Sequence, residues 1–489
     1  MLYSSDCKVR KRGDREVPVG TIIFDPDGEY FWPDDKGNPG LCDVPDLQDK
    51  IVVFTSREAP SDFYGSFVAG GVRLDIRRLR PSDVISIALS PERQDQQNVR
   101  KLRGMNQSDW ATLVDLIAKD GNSADIDEIR RLVRLEEKQG DVEAYAARAN
   151  MTAIVKMLHD ASSQMMDMLL EALSAGKLCI FDVSQLRGGP SFILSGLILR
   201  RIFDHNQEEF TKASPNPIPT IAVVEEAQSV LNEEASAAGP YIEWVKEGRK
   251  YDLGAVLITQ QPGSIPTEIL SQGDNWFLFH MLSAADLQNV QRANAHFGED
   301  IRSSLLNEPI RGQGVFWSGV HDMAYPIPLR VLSFAKLYRS LDETYTREAV
   351  DTYASQLKAR YEDAITSTPE VFVGDKVTDR KGPKKKGQLD PFRANQERAI
   401  EALAKDERFY EGIQDKGIPW GVVVGILKDA LPDTMLDRES VAFRMVPDAL
   451  NEILGPKDEA WTTERRGRGA KPTLFIVRKN SSSQHTRTA

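Results

Sequence analysis

Thr220-Ile221-Ala222-Val223-Val224-Glu225-Glu226-Ala227-Gln228 is an apolar, β-branched run that stops at two adjacent carboxylates. Near-continuous apolar runs of this length are how strands buried on both faces of a parallel sheet read. Such a strand delivers its last side chains to the carboxyl edge of the sheet, where ligands of α/β proteins bind. Working outward, residues 178–183 (LCIFDV), 254–259 (GAVLIT) and 276–280 (WFLFH) read as further strands. Upstream, residues 19–24 and 51–55 (IVVFT) do the same, and the first is closed by the turn Asp25-Pro26-Asp27-Gly28-Glu29-Tyr30. Helical patterns at 191–203 and 241–249 alternate with these strands. The expectation is an α/β fold whose parallel sheet is covered on both faces. Paired acids on such an edge suit a nucleotide and its metal. The matching phosphate loop, G-x-x-x-x-G-K-[ST], occurs nowhere in the chain.

The 489 residues leave room for several domains, and 41% hydrophobic with 28% charged residues is ordinary for a globular protein. The net charge of −11 excludes nucleic-acid binding through overall charge, so any such contact needs a local basic patch or a ring lumen. No apolar run is long enough to span a bilayer. The N-terminus has no apolar segment behind its charges, which predicts no leader peptide. Cys7, Cys42 and Cys179 are scattered and odd in number, which suits a reducing cytoplasm. The six histidines show no zinc spacing, and no G-x-S-x-G element is present.

Domain boundaries follow from changes in pattern. Residues 1–81 and 176–340 read as two parts of one sheet domain, separated by a charged helical insertion at 82–175. Gly176 stands where a helix C-cap is expected, and Met165, Met166 and Met168 read as core filler. Residues 341–390 read as a helix and a basic linker, 391–480 as a winged-helix-like module, and 481–489 as a disordered tail. The module's basic turn, Arg465-Arg466-Gly467-Arg468-Gly469-Ala470-Lys471, lies between two extended pieces. Its arginines could hold phosphates without reading sequence. A protein-binding helical module with a solvated basic loop fits the same pattern.

Four separated motifs resemble, in order, those of HerA-type ATPases of the HerA–FtsK group. They are Ile22-Ile23-Phe24-Asp25-Pro26-Asp27-Gly28-Glu29-Tyr30, Val224-Glu225-Glu226-Ala227-Gln228, Glu247-Gly248-Arg249-Lys250-Tyr251, and Leu257-Ile258-Thr259-Gln260-Gln261-Pro262 with Ile265-Pro266 and Ile269-Leu270-Ser271-Gln272 behind it. The resemblance covers about residues 19–331. It implies a RecA-like P-loop fold, ATP and Mg²⁺ as ligands, a hexameric ring, double-stranded DNA as substrate and a nuclease as partner. The family's settings are DNA end processing and anti-phage defence. The chain departs from the family where the phosphate loop (Walker A) and the N-terminal barrel should precede residue 20. A truncated gene start, a loop on another chain and a degenerate site are the three alternatives.

The resemblance also assigns roles. Glu225 would hold Mg²⁺ through its water shell and Glu226 would orient the hydrolytic water. Gln260 would sense the γ-phosphate, Arg249 would reach a neighbouring subunit's phosphoryl group, and Asp25 and Glu29 would approach the nucleotide. Each has a plainer explanation. Carboxylates are favoured at helix N-termini and Arg249 at a helix C-terminus, Gln260 suits a turn before Pro262, and a turn of Asp, Pro and Gly needs no function. The corresponding expectation is an ATP-driven DNA translocase or helicase. Its rival is a catalytically silent scaffold that binds DNA or a partner.

Overall fold

The computed structural model describes residues 7–479 apart from 12–13, 136–139, 187, 232–237, 322, 367–390, 415–416, 433–434, 436–437 and 467–472. A ribbon of β1 (Lys8–Arg10) and β2 (Glu16–Pro18) leads into β3 (Gly20–Asp25). β3 lies inside a six-stranded sheet with β4 (Ile51–Phe54), β5 (Val68–Gly70), β6 (Leu178–Asp182), β7 (Thr220–Val224) and β8 (Leu253–Leu257). The order is β5-β4-β6-β3-β7-β8 and every pairing is parallel.

The two-faced reading of these strands is what the packing shows. Successive side chains of a strand point to opposite faces. Ile22, Phe24, Val52, Phe54, Phe181 and Val224 therefore enter one core, while Ile23, Ile51, Val53, Ile180 and Val223 enter another. Helices Met165–Ser174 and Gly189–Phe210 cover the first face, with Met165, Met166 and Met168 among its buried residues. Phe31, Trp32, Phe63, Tyr64 and Phe67 cover the second. Gly176 caps the first of these helices at a φ of +70°, a conformation open to glycine without steric cost.

The segment between β5 and β6 is helical, with its longest helices at Gln107–Asp120 and Gly140–Leu158. It is not a separate body. Trp110, Leu113 and Met151 belong to the same buried cluster as Phe54 and Phe181 of the sheet. At its root Arg77 is fully buried, donating to both oxygens of Asp75 at 2.8 Å, to Asp115 at 3.0 Å and to the Ala161 carbonyl at 3.0 Å.

The strand at 276–280 corrects the expectation of one continuous parallel sheet. β9 (Asn275–Phe279) pairs antiparallel with β10 (Gln313–Ser318), which pairs antiparallel with β11 (Ile327–Arg330). This sheet has the order β11-β10-β9 and is separate from the first. An apolar run has no mark that tells a strand buried on both faces from a half-covered one. Phe277 is 50% exposed and leans on Phe316, with ring centroids 4.7 Å apart.

Beyond the helix Tyr353–Thr366, the basic linker falls mostly outside the described residues. The C-terminal segment has helices Pro391–Lys405, Glu407–Gln414, Trp420–Ala430 and Arg438–Leu454. With them, β12 (Ile418–Pro419), β13 (Trp461–Arg466) and β14 (Thr473–Arg478) form an antiparallel sheet of order β12-β14-β13. Its core gathers Phe409, Leu427, Leu450 and Trp461. The segment touches the helical insertion: Arg393 donates to Asp115 at 3.2 Å, and burial beside Ser108 and Asp109 pushes the Asp448 carboxyl up to about 6. Among the described residues no helix is long and apolar enough to cross a membrane.

Close backbone approach makes one glycine indispensable to the loop behind β3. A Cβ on Gly40 would lie 2.3 Å from the Phe31 carbonyl oxygen, and backbone cannot swing aside. Gly40→Ala is expected to cost about 1–3 kcal/mol, read as a lower urea midpoint with an unchanged slope.

Candidate nucleotide site

Parallel register sets the carboxyl rim of the sheet. Asp25 of β3 is level with Asp182 of β6, and Phe24 is level with Val224, so Glu225 follows one step later beside Asp25. Three acids from three adjacent strands therefore line up on one edge.

Their surroundings differentiate them. The Asp25 carboxylate is enclosed and accepts backbone N–H groups from Gly28 at 2.7 Å and Tyr30 at 2.9 Å, with Asp27 and Glu29 at 3.3 Å. Burial raises its pKa against those bonds. Asp25 thus shapes the turn and is fully enclosed by it. Glu29 is exposed at the turn's far side. Asp182 is spent in another way. It accepts from Thr55 at 2.6 Å, from the Arg57 Nε at 2.8 Å and from Ser184 at 2.5 Å. Arg57 also donates to the Gly28 carbonyl at 2.8 Å and lies over the Phe31 and Trp32 rings.

Glu225 accepts a hydrogen bond from the Tyr30 hydroxyl. Burial raises the Glu225 pKa, the Tyr30 bond opposes that rise, and the charges of Asp25, Asp27 and Glu226 add to it. Tyr30→Phe removes the opposing donor, so the Glu225 carboxyl moves further up. The acid limb of nucleotide and Mg²⁺ affinity is then expected to shift to higher pH, while affinity well above the limb stays near wild type. A pH series of nucleotide binding isotherms checks the direction.

Glu226 adopts a left-handed backbone conformation at φ 47°, which a side chain with a Cβ occupies only at a cost. The chain turns there because Ile258 N–H bonds to the Val224 carbonyl at 2.9 Å and Ala227 N–H bonds to the Ile258 carbonyl at 3.0 Å, fastening the exit of β7 to that of β8. The Glu226 carboxylate accepts the Gln228 amide at 2.6 Å and the Gln260 amide at 3.4 Å, and Gln228 accepts the Thr259 hydroxyl at 2.5 Å. The structure therefore brings Glu225, Glu226 and Gln260 together. It adds Tyr30, Gln228 and Thr259, which the sequence analysis left out. Tyr30 had a signal, since it ends a turn whose neighbours face the same rim.

Arg249 is not in this group. It precedes β8 at the sheet's opposite end, with an 89% exposed side chain 4.0 Å from Asp274. Within one chain it cannot meet the rim, since a five-residue strand spans about 16 Å. Among the basic residues of the C-terminal turn, Arg465 is exposed and Arg466 pairs with Glu464 over the Phe475 ring, whereas Arg468 and Lys471 lie outside the described residues.

Among the described residues no three His, Cys, Asp or Glu side chains form a metal cage. Mg²⁺ does not require one. It commonly takes one or two carboxylates and fills its shell with water and phosphate oxygens, a demand that Glu225 and Glu226 fit.

Residues 14–202 match the family model of the HerA helicase central domain. This segment is similar to the HerA central domain. The matched HerA segment carries β3 to β6 and the helical insertion, and ends before Glu225. Among curated proteins, the chain is 27% identical over 142 residues to the DNA double-strand break repair helicase HerA of Saccharolobus solfataricus, covering 28% of each chain. It is 23% identical over 185 residues to HerA of Sulfolobus acidocaldarius, covering 36% of this chain and 37% of that protein. The chain thus matches little more than a third, at most, of these HerA relatives' length. Among solved structures, VirB4 of Thermoanaerobacter pseudethanolicus aligns at 16% identity over 64% of this chain and 82% of that one, with a TM-score of 0.34.

Proposed function

We propose that this chain is a subunit of an ATP-dependent DNA-processing motor of HerA type, assembled as a ring around double-stranded DNA. The observation that carries the reading is the pair Glu225–Glu226 at the carboxyl end of β7, with the Gln228, Thr259 and Gln260 group beside it. Phosphoryl transfer needs positioning and charge compensation more than covalent chemistry. In this reading Glu225 holds Mg²⁺ through water, and bound Mg²⁺ would offset charge on the phosphates. Glu226 orients the attacking water and accepts its proton. The Gln260 amide turns from Glu226 to the γ-phosphate when nucleotide is present. Arg249, exposed and remote from its own rim, serves the site of the next subunit. Arg465, Arg466, Arg468 and Lys471 meet DNA phosphates, and a nuclease is the partner that HerA-type action would call for.

A silent scaffold is the second reading, and one observation favours it. Among the described residues no lysine or arginine pairs with Glu225 or Glu226, and the charges around Glu225 are all negative. The deciding experiment is ATP turnover by the purified chain with and without duplex DNA, beside Glu226→Gln. DNA-stimulated turnover that the substitution removes supports the motor. Duplex binding with no turnover above that control supports the scaffold.

A further inference from the structure

The sheet domain and the C-terminal module each have an apolar core of their own. Among the described residues the cluster under the sheet contains nothing beyond Tyr361, and the module's cluster contains nothing before Ala399. Ion pairs and hydrogen bonds join the two. Arg393, on the helix Pro391–Lys405, donates to one oxygen of Asp115, whose other oxygen already holds Arg77 at 3.0 Å. Glu439, on the helix Arg438–Leu454, stands 3.8 Å from Lys212 of the core and 3.6 Å from Lys428 of the module. Beside it, Ser440 and Arg444 close a cavity against Arg80, Arg200 and Asp204 of the core.

The same helix sets Asp448 against Ser108 and Asp109, at the start of the helix Gln107–Asp120. Ser108 hydrogen-bonds its carboxylate and Arg393 attracts it, while the Asp109 charge repels it. Asp109 is itself paired with Arg134 at 3.2 Å. On Asp448's own helix, Arg444 and Glu452 stand one turn to either side. Burial and the Asp109 charge together hold the Asp448 carboxyl up at about 6 against Ser108 and Arg393. A junction built from charges, with no apolar centre, leaves relative motion of the two bodies as the default expectation.

We propose that the C-terminal module is a reversibly docked cover, clasped by these charges to the helix Gln107–Asp120 and to the end of the helix Gly189–Phe210, and released as pH and salt rise. While docked it covers the Asp115 side of the insertion with the Arg444 and Asp448 side of its own helix; release uncovers both. The inference does not depend on the nucleotide reading. Docking raises the Asp448 pKa, so the docked state binds a proton that the released state gives up. Docking is therefore strongest below the ordinary carboxyl value of about 4, and weakens as pH rises through about 6. The span between those values corresponds to at most about a hundredfold in the docking equilibrium. Salt acts in the same direction, because the Arg393–Asp115 and Lys212–Glu439 pairs are partly exposed and are screened.

Lys212 and Lys428 flank the same Glu439 oxygen. A short amine-reactive cross-linker therefore reports docking in the full chain as a Lys212–Lys428 link, found by mass spectrometry in the single-chain band. At neutral pH, Arg393→Glu sets two carboxylates face to face and is expected to lower the yield of that link about tenfold. Raising salt to about 0.5 M should lower it in the wild type as well. Asp448→Asn keeps the reach toward Ser108 without the charge, so it should retain more of the link than wild type at that salt. Small-angle scattering gives the pH arm: the wild type should be compact at about pH 5 and wider at about pH 7.5, and Asp448→Asn should keep one radius of gyration across that range. A loss in one variant and a gain in the other cannot both come from unfolding. A link yield indifferent to both substitutions and to salt, with a radius constant across pH, overturns the proposal by making the module a fixed part of the core. Expansion at the acid end overturns it too, by reversing the sign.

Discussion

Glu226→Gln is expected, on the proposed motor reading, to lower ATP turnover by about 10²–10⁴-fold, the usual contribution of a positioned general base, with nucleotide affinity within a few fold of wild type. The substitution keeps the shape of the side chain and its reach toward Gln228 and Gln260. What it removes is the ability to take a proton from water. The backbone at residue 226 stays in its left-handed conformation, held by the Val224–Ile258 and Ile258–Ala227 bonds. Single-turnover kinetics beside an equilibrium binding titration separates chemistry from affinity. A variant that loses both equally has lost the site's architecture, and Glu226 would then be a structural residue.

The largest effect on stability is expected at Arg77. Its guanidinium is fully buried and answers two carboxylates and a carbonyl. Breaking a buried pair from one side leaves the other charge without compensation, at about 3–5 kcal/mol. Arg77→Met should therefore lower the unfolding free energy by about that amount, read as a lower urea midpoint, and Asp75→Asn in the same chain should restore part of it. The pH dependence follows from Asp75. Burial already raises its carboxyl above the usual range while Arg77 opposes the rise. Without Arg77 the folded-state pKa climbs further, so the folded chain binds a proton more readily than the unfolded one. Stability of the variant is then greatest below the unfolded pKa of about 4, and falls as pH rises toward the folded value. Urea midpoints measured across the acid range test the sign, and a variant that gains stability on going from acid to neutral pH would contradict it.

The sheet was legible because burial on two faces leaves a mark in composition. Residues 20–25, 51–54, 178–182, 220–224 and 253–257 are each apolar at successive positions, and each is an all-parallel strand. The Glu225, Glu226 and Gln260 group was legible because short strands fix what lies at their ends. Val68–Gly70 was missed, since three residues show no period. The antiparallel set of β9 to β11 was missed because hydrophobicity does not record which neighbour a strand takes. Side-chain partnerships were missed for a similar reason. Tyr30 reaches Glu225 across 195 positions and Arg57 reaches Asp182 across 125, and no local pattern encodes such a distance. The enclosure of Asp25 shows the opposite limit. A strand-end acid looks open in sequence until the turn behind it folds back and encloses it.

The rim bonds have a mechanical side. Thr55 and Arg57 hold Asp182, Arg57 holds the turn that Asp25 shapes, Tyr30 of that turn holds Glu225, and Gln228 links Glu226 to Thr259. From β4 across to β8 the strand exits are laced into a single belt. No loop on that rim can be displaced alone; it must either break a tie or drag its neighbours with it. A pull that enters at Glu226 is transmitted sideways to the far loops of the sheet, so the strand exits move as one piece.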